Sequence, residues 1–191
     1  MIIMFIGPSS SGKDLFYKKT LEKYNFNKII LYTTRPIRTN EENGKDYYFI
    51  SMDEMNKLEM ENKLVERRNY DTVHGTWSYA TRGDNIDLNN NYLVINTWEG
   101  YQKYLNYFGP NVVYPFYFEL DPGIRLERAL KREQQQEIKR YEELCRRFLS
   151  DSKDFTPELI KKYNPIIIDN NKTIEETNKQ IDENIKKLIK K

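Results

Sequence analysis

The chain is 191 residues long, enough for one ordinary domain with a proper core. A hydrophobic share of 38% with 14% aromatics excludes a disordered chain, and a net charge of +2 is too small to mark a nucleic-acid or membrane surface by itself. The single cysteine, Cys145, excludes a disulfide framework, no apolar run approaches a membrane span, and Met1 to Ile6 is too short and lacks the basic flank of a secretion signal, so a cytoplasmic protein is expected.

In chain order, residues 1–6 form an apolar run that reads as a buried strand. It leads into Gly7-Pro8-Ser9-Ser10-Ser11-Gly12-Lys13-Asp14. A helix is expected from Lys13 to Tyr24, with Leu15, Phe16 and Leu21 inward and Lys18, Lys19 and Lys23 outward. One strand, Lys28 to Thr33, should follow. Residues 34–45 are polar and interrupted by Pro36 and Asn43-Gly44, so they continue neither element. Tyr47 to Ile50 resumes as a strand. Ser51 and Glu54 form a capping box opening a helix to about Asn62. Leu64 to Tyr70 and Thr76 to Thr81 read as short strands around the turn Val73-His74-Gly75, and His74, lacking partners at metal spacing, reads as a turn residue.

Tyr92 to Asn96 and Val112 to Leu120 read as buried strands, with a helix from about Glu99 to Tyr107 between them. One long charged helix is expected from about Ile124 to Ser150, with Cys145 packed within it. Pro157 and Pro165 bracket a short helix, Ile166 to Ile168 makes a last strand, and Ile174, Ile181, Ile185 and Leu188 give the closing helix one apolar face. Its remaining lysines form a solvated face. Strands alternating with helices imply an α/β fold, a parallel sheet with helices on both faces and ligands at the carboxyl ends of its strands. Residues 34–84 break that rhythm and read as an inserted lobe over the phosphate site.

The segment from Gly7 to Asp14 carries the first chemistry. Strand, glycine-rich turn and lysine, in that order, make a phosphate-cradling loop. The glycines let successive N–H groups converge on an anion, Lys13 reaches the β- and γ-phosphates, and the following helix aims its positive end at them. Gly7, Ser9, Ser10, Ser11, Gly12, Lys13 and Asp14 are thus candidates for ATP contacts. Asp14 stands where Ser or Thr normally offers a hydroxyl to Mg²⁺, and is itself the candidate metal ligand.

Thr33-Thr34-Arg35-Pro36-Ile37-Arg38, followed by Asn43-Gly44-Lys45-Asp46-Tyr47-Tyr48-Phe49, resembles the signature of guanylate kinases and their relatives. The resemblance runs over roughly residues 2–189 and is strongest from 2 to 70. It implies a P-loop core (1–32, 85–124 and 148–191), an acceptor-binding lobe (about 33–84) and a helical lid (about 125–147). Arg35, Arg38, Tyr47 and Tyr79 would hold the acceptor phosphate, which suits the bidentate fork of a guanidinium. Glu66 would accept from guanine N1–H and N2–H₂, and Thr81 would donate to O6. In the lid, Arg128, Arg132 and Arg147 match arginines that meet the phosphates on closure. The family usually ends its next strand with acids; here Asn96 or Thr97 stands there, Asn96 being kept as an acceptor contact, and the acid appearing at Asp14 instead.

The implied activity is ATP + GMP ⇌ ADP + GDP with Mg²⁺ accompanying ATP. Two rivals stand beside it: a non-catalytic module holding a phosphorylated ligand, and a kinase for another small phosphate ester. Neither nucleic acid nor membrane is expected as a partner, and the oligomeric state is left open.

Overall fold

The computed structural model describes residues 1–38, 41–72, 75–137 and 139–190. The elements run β1 (Ile2–Ile6), α1 (Lys13–Tyr24), β2 (Asn27–Lys28), β3 (Tyr32–Thr33), β4 (Tyr48–Phe49), α2 (Met52–Met60), β5 (Leu64–Thr72) and β6 (Gly75–Arg82). Then come β7 (Tyr92–Ile95), α3 (Trp98–Phe108), β8 (Val113–Glu119), α4 (Pro122–Gln134), α5 (Tyr141–Asp154), α6 (Pro157–Tyr163), β9 (Ile166–Asp169) and α7 (Ile174–Ile189). Among the described residues no helix is long and apolar enough to cross a membrane.

Two sheets share these strands. The first is five-stranded in the order β2-β7-β1-β8-β9, with every pairing parallel. Its centre is β1, whose residues are all fully buried because both faces are covered. The strand's period of two divides the core. Ile2, Met4 and Ile6 pack towards Trp98, Tyr101 and Tyr104 of α3 and the apolar side chains of α6. Ile3 and Phe5 pack towards Phe16 of α1 and Ile181 and Ile185 of α7. Truncating such a ring, Phe16 to alanine for instance, should cost about 3–5 kcal/mol.

The second sheet is four-stranded in the order β4-β3-β6-β5, with the long β5–β6 ladder antiparallel. Met55 of α2 is fully buried against Tyr32 and Ala80 of this sheet, and the capping box at Ser51 and Glu54 is formed. The two sheets draw on residues that the sequence suggests belong to one strand. Asn27–Lys28 pairs with β7 in the first sheet and Tyr32–Thr33 pairs with β4 and β6 in the second, so the expected strand from Lys28 to Thr33 is split where the chain passes between them.

Other expectations need correction. The single long helix is two: α4 ends at Gln134 and α5 begins at Tyr141. No residue of α5 is buried, so Cys145 is exposed rather than packed. Leu15, expected inward, is exposed on α1, and Ile174 is exposed at the start of α7 although Ile181 and Ile185 behind it are buried. Strand pairing reaches Thr72 and Gly75, while Val73 and His74 of the expected turn lie outside the described residues.

Candidate functional site

β1 ends at Ile6 and delivers the glycine-rich loop to the head of α1. The loop's shape is set by backbone conformations few residues tolerate. Gly12 has φ +85°, and a Cβ there would stand 2.8 Å from Nδ2 of Asn170. Asn170, just beyond β9, is almost fully buried and donates to the carbonyl of Ser11 at 2.6 Å, so the close approach at Gly12 is a built contact. Ser10 also takes a positive φ, 63°, and its Oγ is buried without a hydrogen-bond partner among the described residues. A residue at positive φ with a buried, unpartnered hydroxyl, beside a helix start that no side chain caps, gives a loop whose N–H groups can turn towards an anion.

Lys13 folds over this loop. Its Nζ donates to the carbonyls of Gly7 (2.6 Å) and Pro8 (2.7 Å) and to Ser11 Oγ (3.2 Å). Burial pushes its ammonium down to about 8, with Asp14 and Asp151 opposing that shift. Asp14 itself is exposed in the first turn of α1. Among the described residues no cluster of three or more His, Cys, Asp or Glu could hold a metal on its own. Mg²⁺ is ordinarily held by one or two carboxylates with phosphate oxygens and water, so the lone Asp14 carboxylate is a donor set compatible with a metal that arrives on its nucleotide.

A cavity of about 740 Å³ opens above the loop between α4 and α5. Ser9, Ser10, Arg132, Arg140, Arg147 and Asp151 are among its walls. Asp151 accepts from the Ser9 N–H at 2.9 Å and from Arg125 Nη1 at 2.9 Å, tying α5 and α4 to the loop. Both partners of this ion pair are nearly buried, and Arg125 also lies 4.2 Å from the centre of the Phe148 ring. Removing one partner should cost about 3–5 kcal/mol, because the other charge stays buried. Arg128 is exposed but near the loop: a Cβ on Gly12 would lie 3.8 Å from its Nη1. Arg147 lines the cavity while donating to Glu143 on its own helix at 2.7 Å. Glu143, held by Arg146 and Arg147, is pulled down to about 2.

A second cavity, of about 630 Å³, lies between the two sheets. Tyr17, Tyr47, Tyr70, Trp77 and Tyr79 give it aromatic walls, and Glu66, Arg68 and Asn96 meet within it. Glu66 is almost fully buried, and both its oxygens are engaged. Oε1 accepts from Asn96 Nδ2 at 3.1 Å and Oε2 from Arg68 Nη2 at 2.7 Å. Asn96 sits here at the end of β7, so it belongs to the acceptor cavity; Thr97 beside it caps α3 by accepting from Gly100 N–H. Gly100 leaves the room this requires, since a Cβ on it would overlap the Asn96 side chain.

Thr81 departs from its expected place. It lies across from Glu66 in the β5–β6 ladder, but it is fully buried, outside the cavity's lining, and its hydroxyl bonds Tyr104 at 3.1 Å. Either hydroxyl can be the donor in that bond, which ties Thr81 to α3 rather than to the cavity lining. Arg35 is buried beneath the rings of Tyr47 and Phe49, 5.4 and 5.6 Å from their centres, and it also bonds Tyr79. Its fork closes on Glu41 at 2.8 and 3.0 Å, and Glu41 accepts from the Arg38 N–H as well at 2.8 Å. One carboxylate thus fills the kind of guanidinium-and-amide cradle that a phosphate would fill. The Arg38 side chain is exposed nearby.

Sequence reasoning missed Arg68, Arg125, Asp151 and Asn170. Arg68 had a signal: two residues beyond Glu66 on one strand, it must share Glu66's face. Asp151 had none, being one acid among many on a charged helix.

Comparison with known proteins bears on the family and the fold. The sequence model described as guanylate kinase matches residues 1–91. A guanylate kinase of Wigglesworthia glossinidia brevipalpis is 31% identical over 199 residues, spanning 96% of this chain and 95% of the relative. Another, from Caldanaerobacter subterraneus subsp. tengcongensis, is 29% identical over 170 residues, spanning 88% of this chain and 79% of the relative. Among solved structures, the guanylate kinase from Anaplasma phagocytophilum matches with a TM-score of 0.55 at 23% identity, over 97% of this chain and 84% of that one, which shows a shared fold.

Proposed function

Since the chain belongs to the guanylate kinase family, we infer that it transfers the terminal phosphoryl group of ATP to GMP, yielding ADP and GDP. The observation that carries this reading is the pair of cavities at the carboxyl ends of neighbouring strands. One, of about 740 Å³, opens on the loop after β1; the other, of about 630 Å³, closes on Asn96 after β7. Each is of nucleotide size, and the second sets the buried Glu66 carboxylate among the rings of Tyr17, Tyr47, Tyr70, Trp77 and Tyr79.

In this reading the loop from Gly7 to Asp14 cradles the ATP phosphates and Lys13 leaves its carbonyl partners to meet their charge. Tyr47, Tyr79 and the fork of Arg35 receive the acceptor phosphate, displacing the Glu41 carboxylate that now engages Arg35, while Arg38 reaches the same anion from the exposed side. Glu66 and Asn96 read the base. Residues 33–84 act as the acceptor lobe and 125–147 as the lid, bringing Arg128, Arg132 and Arg147 to the transferring group. Phosphoryl transfer needs positioning and charge compensation rather than a protein nucleophile, and these cations supply it. Mg²⁺, bound with ATP and held through Asp14 directly or by water, would neutralise charge on the phosphates.

Asp14 and Asn96, standing where the resemblance expects a hydroxyl and an acid, favour one rival: a module that binds a phosphorylated ligand without turnover. A coupled ADP-release assay with GMP, dGMP, AMP, UMP and a sugar phosphate separates the readings. Fast ADP release with GMP is expected. No release with any acceptor would favour the module, and preference for the sugar phosphate would replace the acceptor.

A further inference from the structure

We propose that Arg68 reads the base in the acceptor cavity, its guanidinium forking onto O6 and N7 of guanine while Glu66 beside it takes N1–H and N2–H₂. The proposal rests on the GMP reading above and adds a residue that reading does not contain.

The strand sets the geometry. On β5, Glu66, Arg68 and Tyr70 line the cavity, while Arg67 turns to the opposite face and bonds Glu59, Asn56 and Ser78. Arg68 Nη2 donates to Glu66 Oε2 at 2.7 Å and to Asn96 Oδ1 at 2.6 Å. Asn96 Oδ1 also accepts from the Thr97 N–H at 2.8 Å, which fixes the amide with its oxygen towards Arg68 and its nitrogen towards Glu66. The Glu66 side chain is only 6% exposed whereas that of Arg68 is 41% exposed, so the carboxylate lies on the floor and the guanidinium reaches the open space where a base enters. Pairing also makes the buried carboxylate tolerable before any ligand arrives.

The order of groups is that of guanine's edge. Along the base run two donors, N2–H₂ and N1–H, then two acceptors, O6 and N7. A carboxylate beside a guanidinium presents acceptors and then donors in the same order. Each Glu66 oxygen already accepts one bond and retains a lone pair for a second. Either fork of a guanidinium includes Nη2, so the base takes over the Nη2 hydrogen now given to Asn96 Oδ1, which keeps the Thr97 N–H, and the second donor comes from a neighbouring nitrogen of Arg68, which also bonds Tyr70. Adenine in the same pose turns its N1 lone pair towards the carboxylate and its N6–H₂ towards the guanidinium, a mismatch at both ends. The hydroxyl expected to serve O6, that of Thr81, is fully buried, bonded to Tyr104 and outside the cavity lining, whereas Arg68 reaches into the cavity. An arginine fork on guanine O6 and N7 discriminates against the wrong base by about ten- to hundredfold.

The test measures kcat/KM for GMP, AMP and 7-deaza-GMP, which lacks the N7 acceptor, in the wild-type chain and in Arg68→Ala and Arg68→Lys. The wild-type chain should use 7-deaza-GMP about tenfold less well than GMP. Arg68→Ala should treat the two alike and lose about ten- to hundredfold of the GMP:AMP preference, with the KM for ATP unchanged. Arg68→Lys should recover part of the preference without restoring the 7-deaza penalty, because a single ammonium cannot fork. A 7-deaza penalty that survives in Arg68→Ala would overturn the proposal, leaving Arg68 to orient Glu66 only. Calorimetric binding of GMP and 7-deaza-GMP gives the same contrast without turnover. A wild-type chain that shows the penalty in binding yet releases no ADP would therefore refute the kinase reading and support this one.

Discussion

The two cavities are built from different material. The one above the β1–α1 loop owes its floor to backbone: Gly12 at φ +85°, Ser10 at φ 63°, and the uncapped start of α1. The acceptor cavity owes its floor to side chains from separate elements, Glu66 and Arg68 of β5 and Asn96 after β7, held by each other. A phosphate is recognised by any set of converging N–H groups, so eight consecutive residues can encode its site. A base is recognised by the order of donors and acceptors along its edge, and here the side chains that present it, Glu66 and Arg68, are held in place by Asn96 from the other sheet. Each expected effect below should therefore strike one cavity and spare the other.

The largest belongs to Lys13. Lys13→Ala should lower kcat by about two to three powers of ten, the scale of removing one principal electrostatic contact at the transition state. Near-normal turnover in the purified variant would remove the loop from the chemistry. Two glycines then give a matched pair. Gly12→Ala forces a side chain onto Asn170 at a positive φ and should raise the KM for ATP while sparing the choice of acceptor. Gly100→Ala pushes Asn96 away from Glu66 and should raise the KM for GMP while sparing ATP. Each shift should be on the order of tenfold, the scale of a displaced hydrogen bond. Steady-state kinetics in both substrates checks the crossing; a variant that moves both KM values equally would contradict it.

Acidity separates the cavities again. The Lys13 ammonium, lowered by burial to about 8, is charged in the unliganded protein below that pH and loses its proton above it. ATP favours the charged form, so ATP should bind about tenfold more weakly at pH 9 than at pH 7. Calorimetric titration should show that slope flattened in Lys13→Met, and an unchanged slope would assign the titration to another group. The smallest effects are those of Arg132 and Arg147. Both line the cavity from exposed positions, and Arg147 is engaged by Glu143, so they can reach phosphate only by moving. Alanine at either should lower kcat severalfold with less change in the KM for ATP. Unaltered kcat in both would return them to the helix surface.

What could be read from the sequence follows the same division. The loop, the helix starting at Lys13 and the buried strand before it were legible because each is local, and the capping box at Ser51 and Glu54 was legible for the same reason. The strand split between Asn27–Lys28 and Tyr32–Thr33 was not, since nothing within those residues says that they join different sheets. The break between α4 and α5 was hidden by a run of charge that reads as one solvated helix, and so was the exposure of Cys145, which depends on what packs against α5. Of the two base-reading residues that the resemblance implies, Glu66 lines the acceptor cavity and Thr81 does not. The Thr81 hydroxyl's bond to Tyr104 joins residues 23 apart, and that between Asn170 and Ser11 residues 159 apart, so neither shows in a local stretch of sequence.

If phosphate chemistry and base choice reside in separate cavities, with the Glu66 carboxylate in charge of the second, one substitution should separate them. Glu66→Gln tests it with little change of shape, replacing one acceptor with a donor that faces the donors of guanine. kcat/KM for GMP and for AMP, measured with the KM for ATP, should show the GMP:AMP ratio falling by about a hundredfold while ATP recognition is preserved. An unchanged ratio would contradict the account, because the base would then be chosen elsewhere.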